Sequence, residues 1–401
     1  MAQSVAAQPK AADWNLGGLF AVGLGHFVDD LFSGTVALTI FYVISNAHLP
    51  AWYQGLLSFF WYLTSSIVQP LAGAYTDRNG RWWFMPSAVL IVVVALSLAG
   101  LAGSIWMLAV LIVCGGFGAA VMHPEGGKYA AMLSGSRRSQ GISIFQMGGT
   151  LGISLGPITI ATLLQHFGRH GSLLLLVPGL LAVAYLYYAI YRADRLARTA
   201  HAARKKETET DDRPVDRIGI GLVVTSTTIR FFAATAFVTY LPNLLTGRGY
   251  SLVEAGQIVT AFMLLGNIGL YLGGYLGDRL GSVVASILAL ILSVPCLLGF
   301  FFAPMPYALL LLFLGNVMMT MQNAPSVVLV QAMLPKNLGM ALGLINGVSF
   351  GMGSALVTVL GLLVTRFGAG EALLYASVSP LIAASAYFTI NRRLHGLLER
   401  V

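Results

Sequence analysis

Charged residues are scarce in this sequence: Asp, Glu, Lys and Arg together make up only 9% of its 401 residues. Soluble domains carry about 25% charged residues, so this composition cannot cover the surface of a soluble protein. Cysteine is almost absent, with two residues, which excludes a disulfide-stabilised secreted scaffold. Disorder is excluded because 57% of the residues are hydrophobic. A mean hydropathy of +0.79 instead indicates a protein that crosses a membrane repeatedly.

Apolar runs long enough to cross a membrane, about 20 residues each, recur along the whole chain. Six precede and six follow one polar, strongly charged segment at residues 192–217. We therefore predict an all-α integral membrane protein with twelve transmembrane helices, numbered here as spans 1 to 12. They form two six-helix bundles, residues 1–191 and 218–401, joined by a cytoplasmic linker at 192–217.

The net charge of +8 reflects the loops rather than a nucleic-acid partner. If both termini and the even-to-odd loops lie on one side, that side holds 18 of the 23 Lys and Arg residues. Cytoplasmic loops are enriched in Lys and Arg, so we expect both termini in the cytoplasm. Residues 1–13 are polar and carry no recognisable cleavable signal, so we expect span 1 to remain in the mature protein.

The two halves share an internal repeat. The Asp77-Arg78 pair recurs 201 residues later as Asp278-Arg279, and Pro124 recurs at the same offset as Pro325. Such an offset is typical of two parallel repeats related by an axis along the membrane normal.

The repeated loop has two interpretations, a gate between conformations or an ordinary cytoplasmic turn with loop charges. A second copy at the matching position favours a paired gate. The candidate gating residues are Gly73, Asp77, Arg78, Arg81, Asp278 and Arg279. Here the sequence resembles the major facilitator superfamily, whose signature loop reads G-x-L-x-D-R-x-G-R. The resemblance implies the twelve-helix fold of secondary transporters.

Span 5 carries glycines at every fourth position followed by a proline: Gly148, Gly152, Gly156 and Pro157. Bare glycine faces let helix backbones touch, so the simplest interpretation is a helix-packing seam. The Gly-Pro ending also resembles the antiporter signature of the superfamily's drug–proton antiporters.

Acidic residues lie inside span 1, where burying a charge in the membrane is energetically unfavourable. Asp29 and Asp30 follow His26 by three and four residues, so all three can share one side of a helix. Intramembrane carboxylates by default line a cavity or a proton path. The alternative interpretation is that these acids lie near the edge of the membrane and extend their side chains into water.

Span 4 contains the string His123-Pro124-Glu125-Gly-Gly-Lys128. Pro124 bends the helix and frees polar backbone groups toward an internal cavity. Glu125 and Lys128 are three residues apart and can form a purely structural pair. A metal site is not expected, because no third ligand is spaced to join His123 and Glu125.

These motifs resemble the fosmidomycin resistance family of bacterial efflux transporters. The likeness rests on the His26-x-x-Asp29-Asp30 string, the H-P-E motif at His123 and a Phe-Gln146-x-Gly-Gly string in span 5. It implies a multi-pass protein of the bacterial inner membrane, with proton coupling at Asp30, Glu125, Asp29, His26 and His123.

In the second half, Arg230 lies inside span 7, and a buried guanidinium must be paired or bind an anion. It is either a structural partner of a span-1 carboxylate or a substrate ligand, and both roles can alternate. The candidate substrate-binding residues are Arg230, Lys128, Gln146, Tyr240, Asn243, Gln322 and Asn323. Arg230 and Lys128 would hold an anionic group, which fits a phosphonate-like drug.

The leading hypothesis is proton-coupled efflux of a small drug-like molecule by antiport, with the protein functioning as a monomer. The alternative is a symporter that imports a small organic anion or sugar. We expect no enzymatic activity, since no catalytic constellation is recognisable outside the spans, and no cofactor.

Overall fold

The computed structural model describes residues 15–134, 138–202, 216–333 and 343–398, and within these ranges every regular element is helical. The first half contains α1 (Leu16–Asn46), α2 (Trp52–Tyr62), α3 (Gln69–Asn79), α4 (Phe84–Ala99), α5 (Ile105–Leu133), α6 (Arg138–Phe167) and α7 (Leu176–Ala202). A π-helical turn, Leu63–Ile67, joins α2 to α3, and a 3-10 segment, Gly168–Leu175, joins α6 to α7.

The second half repeats this all-helical pattern. It contains α8 (Arg217–Gly247), α9 (Leu252–Leu280), α10 (Ser282–Phe302), α11 (Tyr307–Thr320), α12 (Asn323–Met333), α13 (Ser349–Phe367) and α14 (Ala369–Leu398). A second π-helical turn, Gly343–Val348, directly precedes α13.

Nine stretches of the described residues are long and apolar enough to cross a membrane, which confirms the prediction of an all-α membrane protein. One stretch, Ile144–Asp194, contains predicted span 6 (171–191) and all but the first five residues of predicted span 5 (139–168). Predicted span 3 is the shorter apolar helix α4, and predicted span 2 is divided between α2 and α3. The number twelve therefore stays a prediction.

Glycine ends repeat-related helices in both halves. Gly168 follows α6 with φ +58°, and Gly368 follows α13 with φ +92°. This left-handed backbone conformation strongly favours glycine, which is why it commonly stops a helix. The Phe-Gly pairs at 167–168 and 367–368 thus mark the same structural event in the two halves.

The buried apolar residues cluster within each half. The buried members of one cluster come from residues 19–193, and those of two others come from residues 220–390. This distribution is in keeping with two bundles, although the domain boundaries themselves remain a prediction. Residues 192–202 of the predicted linker continue α7, and residues 203–215 lie outside the described residues.

The glycines of span 5 lie against α1. A Cβ on Gly148 would lie 2.2 Å from the carbonyl oxygen of Gly23, and one on Gly152 would lie 2.3 Å from that of Phe27. At Gly156 the nearest atoms belong to Gly34, at 2.5 Å. No larger residue fits these positions without moving a backbone, so α1 and α6 pack with their main chains in contact.

Hydrogen bonds join the two halves at the far end of the helices, opposite the end where α1 and α8 begin. The Trp52 amide donates to Thr365 Oγ1 at 3.2 Å, and the Val253 amide donates to Gln165 Oε1 at 2.8 Å. Nearer the middle, the amide that follows Pro157 donates to Thr260 Oγ1 at 3.0 Å. The halves are therefore tied together at the far end.

Candidate functional site

Two histidines and two aspartates from α1 and α5 form one cluster. His26 Nε2 lies 3.2 Å from Asp30 Oδ2, and His123 Nε2 lies 3.5 Å from Asp30 Oδ1. Asp29 Oδ2 lies 3.9 Å from His123 Nδ1. His26, Asp29 and Asp30 are buried, while His123 is half-buried. Residues that the sequence only suggested as neighbours thus meet across two helices.

The hydrogen bonds of the two imidazoles fix which nitrogen carries hydrogen. His26 Nδ1 lies 2.8 Å from the carbonyl oxygen of Phe145, and His123 Nδ1 lies 2.8 Å from that of Ala119. A carbonyl oxygen only accepts, so both Nδ1 atoms donate. Each neutral ring then presents a bare Nε2 lone pair to the Asp30 carboxylate. Because two acceptors cannot bond to each other, a proton or another cation belongs between them.

Asp29 adds negative charge to the same cluster. Its side chain is fully buried, and neither carboxylate oxygen has a hydrogen-bond partner. A buried carboxylate without donors is strongly unfavourable unless a cation compensates it or it takes up a proton. His123, whose Nδ1 is 3.9 Å away, would provide that compensation when it is protonated.

Helix α6 completes the cluster from a third side. The Phe145 ring stacks on the His26 imidazole with 4.0 Å between ring centroids, and the Phe145 carbonyl accepts from the same imidazole. This approach is possible because Gly149, one turn further along α6, leaves room for His26 and Asp30. The orientation of His26 is therefore fixed by α6.

The next part of α5 connects the cluster to the signature loop. Glu125, which is 1% exposed, forms an ion pair with Lys128. Lys128 Nζ also donates to the carbonyl oxygen of Thr76 near the end of α3, at 3.4 Å. Pro124 packs beside Gly73, where an added Cβ would lie 3.4 Å away. The Lys128 side chain therefore links α5 to α3.

The other predicted gating residues lie at the end of the helices where the chain begins. Arg78 and Arg81 are exposed, and Arg279 is exposed with its guanidinium 4.4 Å from the centre of the Tyr275 ring. The side chains of Asp77 and Asp278 lie outside the described residues, although both positions are helical, in α3 and α9.

Arg230 lies in the second half, on α8, and is 3% exposed. Its Nη2 donates to Asn323 Oδ1 at 3.4 Å, at the first residue of α12. Its Nε has no hydrogen-bond partner. Among the described residues no carboxylate forms an ion pair with this guanidinium, so the structural tie to a span-1 acid is not present in this conformation.

The remaining predicted ligands have different surroundings. Gln322 is buried and donates to Tyr387 Oη at 2.8 Å, while Gln146 on α6 is exposed. Tyr240 is buried at the far end, where its hydroxyl donates to the carbonyl of Val357 at 3.3 Å. Asn243 is half-buried, and its side-chain oxygen has no partner. The structure thus brings only Asn323 to Arg230 directly.

A sequence model of the Major Facilitator Superfamily matches residues 22–358. The chain belongs to the Major Facilitator Superfamily. Members of this superfamily are membrane transporters, and the superfamily is not a class of enzymes. Residues 22–358 include α1, α5, α6, α8 and α12 in large part, so the match covers both the histidine–aspartate cluster and Arg230.

Two curated relatives cover nearly the whole chain. The fosmidomycin resistance protein of Escherichia coli (strain K12) is 27% identical over 395 residues, 97% of this chain and 96% of the relative. The MFS-type transporter YfnC of Bacillus subtilis (strain 168) is 26% identical over 384 residues, 92% of this chain and 91% of the relative.

Solved structures of other transporters share the fold. A bacterial homolog of the human lysosomal transporter Spinster, in an inward-facing and occupied conformation, has a TM-score of 0.75 at 15% identity, over 93% of this chain and 96% of that chain. The nucleoside transporter NupG has a TM-score of 0.72 at 12% identity, over 93% and 98%. These likenesses confirm the superfamily fold and say nothing about substrate.

The cluster also contains a set of groups that could converge on a metal ion. One ligand atom each from His26, Asp30 and His123 lies within 4.8 Å of the others. The ligands of a tetrahedral zinc ion stand about 3.3 Å apart. The two histidine–aspartate distances, 3.2 and 3.5 Å, are close to this spacing. Linear spacing could not indicate this set, because its members come from α1 and α5.

The roles of two groups in the site could not be recognised from the sequence. Gly149 belongs to the Phe-Gln-x-Gly-Gly string, but nothing in a lone sequence distinguishes it from the packing glycines beside it. The Phe145 carbonyl is a backbone group, and sequence cannot show that it accepts from His26. Only the helix-to-helix geometry reveals either role.

Proposed function

We propose that this superfamily transporter is a proton-coupled exporter of small drug-like molecules that works by alternating access. The relative named for fosmidomycin resistance supports efflux, and its similarity extends over nearly the whole chain. We further propose that the protein resides in the bacterial inner membrane with both termini in the cytoplasm and functions as a monomer.

The observation that carries proton coupling is the Asp30 carboxylate facing two imidazole lone pairs, at 3.2 and 3.5 Å. This arrangement is stable only while a proton lies between the acceptors, on a histidine or on Asp30 itself. Histidine is the side chain whose charge changes most readily near neutral pH. The cluster therefore has both a requirement for a proton and groups able to release it.

The segment from His123 to Lys128 supports a link between proton binding and the gate. His123 belongs to the cluster, Pro124 packs beside Gly73, and Lys128 donates to the Thr76 carbonyl near the signature loop. A change of charge at His123 acts on the same turn of α5 that contacts α3. A small difference in interaction energy at such a contact shifts a near-balanced equilibrium between two conformations.

Antiport follows from linkage between the two ligands. If the conformation that binds substrate is the one that has released the proton, each ligand weakens the binding of the other by the same factor. A proton entering from the acidic outer side then resets the exporter. Asp30 is the primary carrier in this scheme, and Glu125 is the second candidate.

Everted membrane vesicles from cells expressing the protein test this proposal. Fosmidomycin uptake into vesicles should require an imposed pH gradient with an acidic lumen and should stop when an uncoupler is added. Expressing cells should tolerate higher drug concentrations, and an uncoupler should abolish the difference. Uptake into right-side-out vesicles driven by an acidic exterior would instead establish the import alternative.

A further inference from the structure

Arg230 is a buried cation without a counter-ion among the described residues. The side chain is 3% exposed and donates one long hydrogen bond, 3.4 Å, to the neutral Asn323. Its Nε is buried and has no partner. A guanidinium carries five N–H donors in a planar fork that matches two oxygens of one anion. The unfilled side of this fork therefore requires an acceptor, best an anionic one.

A broken helix ends at the same place. α11 stops at Thr320 and α12 starts at Asn323, so predicted span 10 is interrupted at Met321 and Gln322. The first N–H groups of a helix lack partners within it, and the helix dipole makes this end positive. In α12 these groups are the N–H groups of Asn323 and Ala324, because Pro325 has no N–H and the Ser326 N–H donates to the Gln322 carbonyl. In transporters, the starts of such half-helices within the membrane bind anionic groups of the substrate.

The interruption is fixed by side-chain bonds and does not depend on Arg230. Gln322 Nε2 donates to Tyr387 Oη at 2.8 Å, and Ser326 Oγ lies 3.0 Å from the same hydroxyl. These bonds attach the break itself and the first turn of α12 to α14. The first turn of α12 is thereby held beside α8, with Asn323 in contact with Arg230.

An aromatic cluster begins at the residue next to Arg230 on α8. Phe231, the residue after Arg230, stacks on Phe350 with 3.9 Å between centroids and meets the Tyr62 ring edge-on at 5.2 Å. These three rings come from both halves of the chain. Lys128, the other intramembrane cation, is engaged by Glu125 and the Thr76 carbonyl.

We propose that Arg230 and the first turn of α12 bind one oxyanion of the transported molecule, a phosphonate, phosphate, sulfonate or carboxylate. The apolar part of the molecule lies against Tyr62 and Phe231. This inference rests on the proposed function only in naming the bound molecule as the substrate. It assigns anion recognition to Arg230 and Asn323 and removes Lys128 from the binding site.

Binding to the purified full-length protein tests the site directly. Phenylphosphonate is the probe, since it joins an aromatic ring to an oxyanion, and its uncharged dimethyl ester is the matched ligand control. Titration calorimetry would measure affinity for Arg230→Gln, Arg230→Lys and Asn323→Ala. Arg248→Gln is the control variant, because Arg248 lies at the far end over the Phe300 ring.

We expect phenylphosphonate to bind the unmodified protein at least tenfold more tightly than the ester. Arg230→Gln should weaken phenylphosphonate at least tenfold, and Arg230→Lys should weaken it less, because charge is kept while the fork is lost. Asn323→Ala should weaken it severalfold, and Arg248→Gln should leave it unchanged. If Arg230→Gln does not fold, Arg230→Lys and Asn323→Ala decide the question.

Equal affinity for the acid and the ester, or affinity unchanged in all three site variants, would overturn the site. Loss of binding in Arg248→Gln as large as in Arg230→Gln would do the same. The proposed function fails separately: anion binding at Arg230 with no response of drug uptake to a pH gradient would retain the site and reject proton coupling. Proton-driven uptake without anion binding would retain proton coupling and reject the anion site.

Discussion

Gly149 provides the space in which His26 bonds to Asp30. A Cβ on Gly149 would lie 2.4 Å from Cε1 and Nε2 of the His26 ring and 2.6 Å from Oδ2 of Asp30. A methyl carbon cannot lie this close to ring or carboxylate atoms to which it is not bonded. The cluster therefore depends on the absence of a side chain on a third helix, α6.

Gly149→Ala should impair transport without removing any polar group of the cluster. The added methyl group pushes the His26 ring away from Asp30, and overpacking of this kind costs about 1–3 kcal/mol of stability. We expect a lower thermal unfolding temperature and a fall in drug uptake. Gly127→Ala is the control, since its Cβ would meet only the Phe145 ring, at 4.0 Å. Equal behaviour of the two variants would show that the cluster tolerates displacement.

Neutral replacements in the cluster should separate proton coupling from substrate binding. Asp30→Asn keeps the shape of the side chain but holds no exchangeable charge, and His123→Gln removes one imidazole. We expect at least a tenfold loss of pH-driven uptake in each variant, while the affinity for substrate becomes less sensitive to pH.

His166→Gln is the matched control for His123→Gln. His166 Nδ1 also donates to the carbonyl four residues earlier, Thr162, at 2.8 Å, but its side chain is exposed. Its replacement should leave uptake unchanged. Wild-type pH dependence in both cluster variants would place the proton site elsewhere.

Much of the fold could be predicted from the sequence, because long apolar runs identify membrane helices by composition alone. Helix α8 begins and ends within one residue of predicted span 7, about 218–246, and Asp216 caps its start. The π-helical turn at Leu63–Ile67 could not be predicted in the same way. Its own five residues contain no proline or glycine, and its Thr64 hydroxyl bonds to the backbone of α2 only in the folded chain.

In the candidate site, too, contacts within one helix were predictable and contacts between helices were not. His26 and Asp30 were predictable neighbours, because residues four apart meet on one helix face. Their contact with His123 depends on how α1 packs against α5, and no local pattern encodes that. Arg230 was recognisable as a buried charge, but its position at the start of α12 became visible only with the break after Thr320.

Breaking the Glu125–Lys128 pair should destabilise the protein more than it alters substrate affinity. Glu125 is 1% exposed, so Lys128→Met would leave a buried carboxylate unpaired, at a cost of about 3 kcal/mol. The double variant Glu125→Gln/Lys128→Met removes both charges and should recover most of that loss.

Thermal unfolding of the two single variants and the double variant measures this coupling. Drug uptake by the double variant then tests whether Glu125 also carries a proton. Retained pH-driven uptake in the stable double variant would assign proton transfer to the His26–Asp30–His123 group alone. Lost uptake at normal stability would make Glu125 part of the proton path.

The proposed alternating-access cycle requires the far end of the transporter to open, so a crosslink there should stop transport. The Trp52 amide and the Thr365 hydroxyl are 3.2 Å apart and belong to different halves of the chain. In a background where Cys114 and Cys296 are replaced by Ala, Trp52→Cys/Thr365→Cys should form a disulfide under mild oxidation. Alternating access requires these residues to separate, so the oxidised protein should lose at least nine-tenths of its uptake, and a reductant should restore it. Each single-cysteine variant, oxidised in the same way, should keep its uptake. Full uptake by the crosslinked protein would mean that this end stays closed, and the route of release would then have to lie elsewhere.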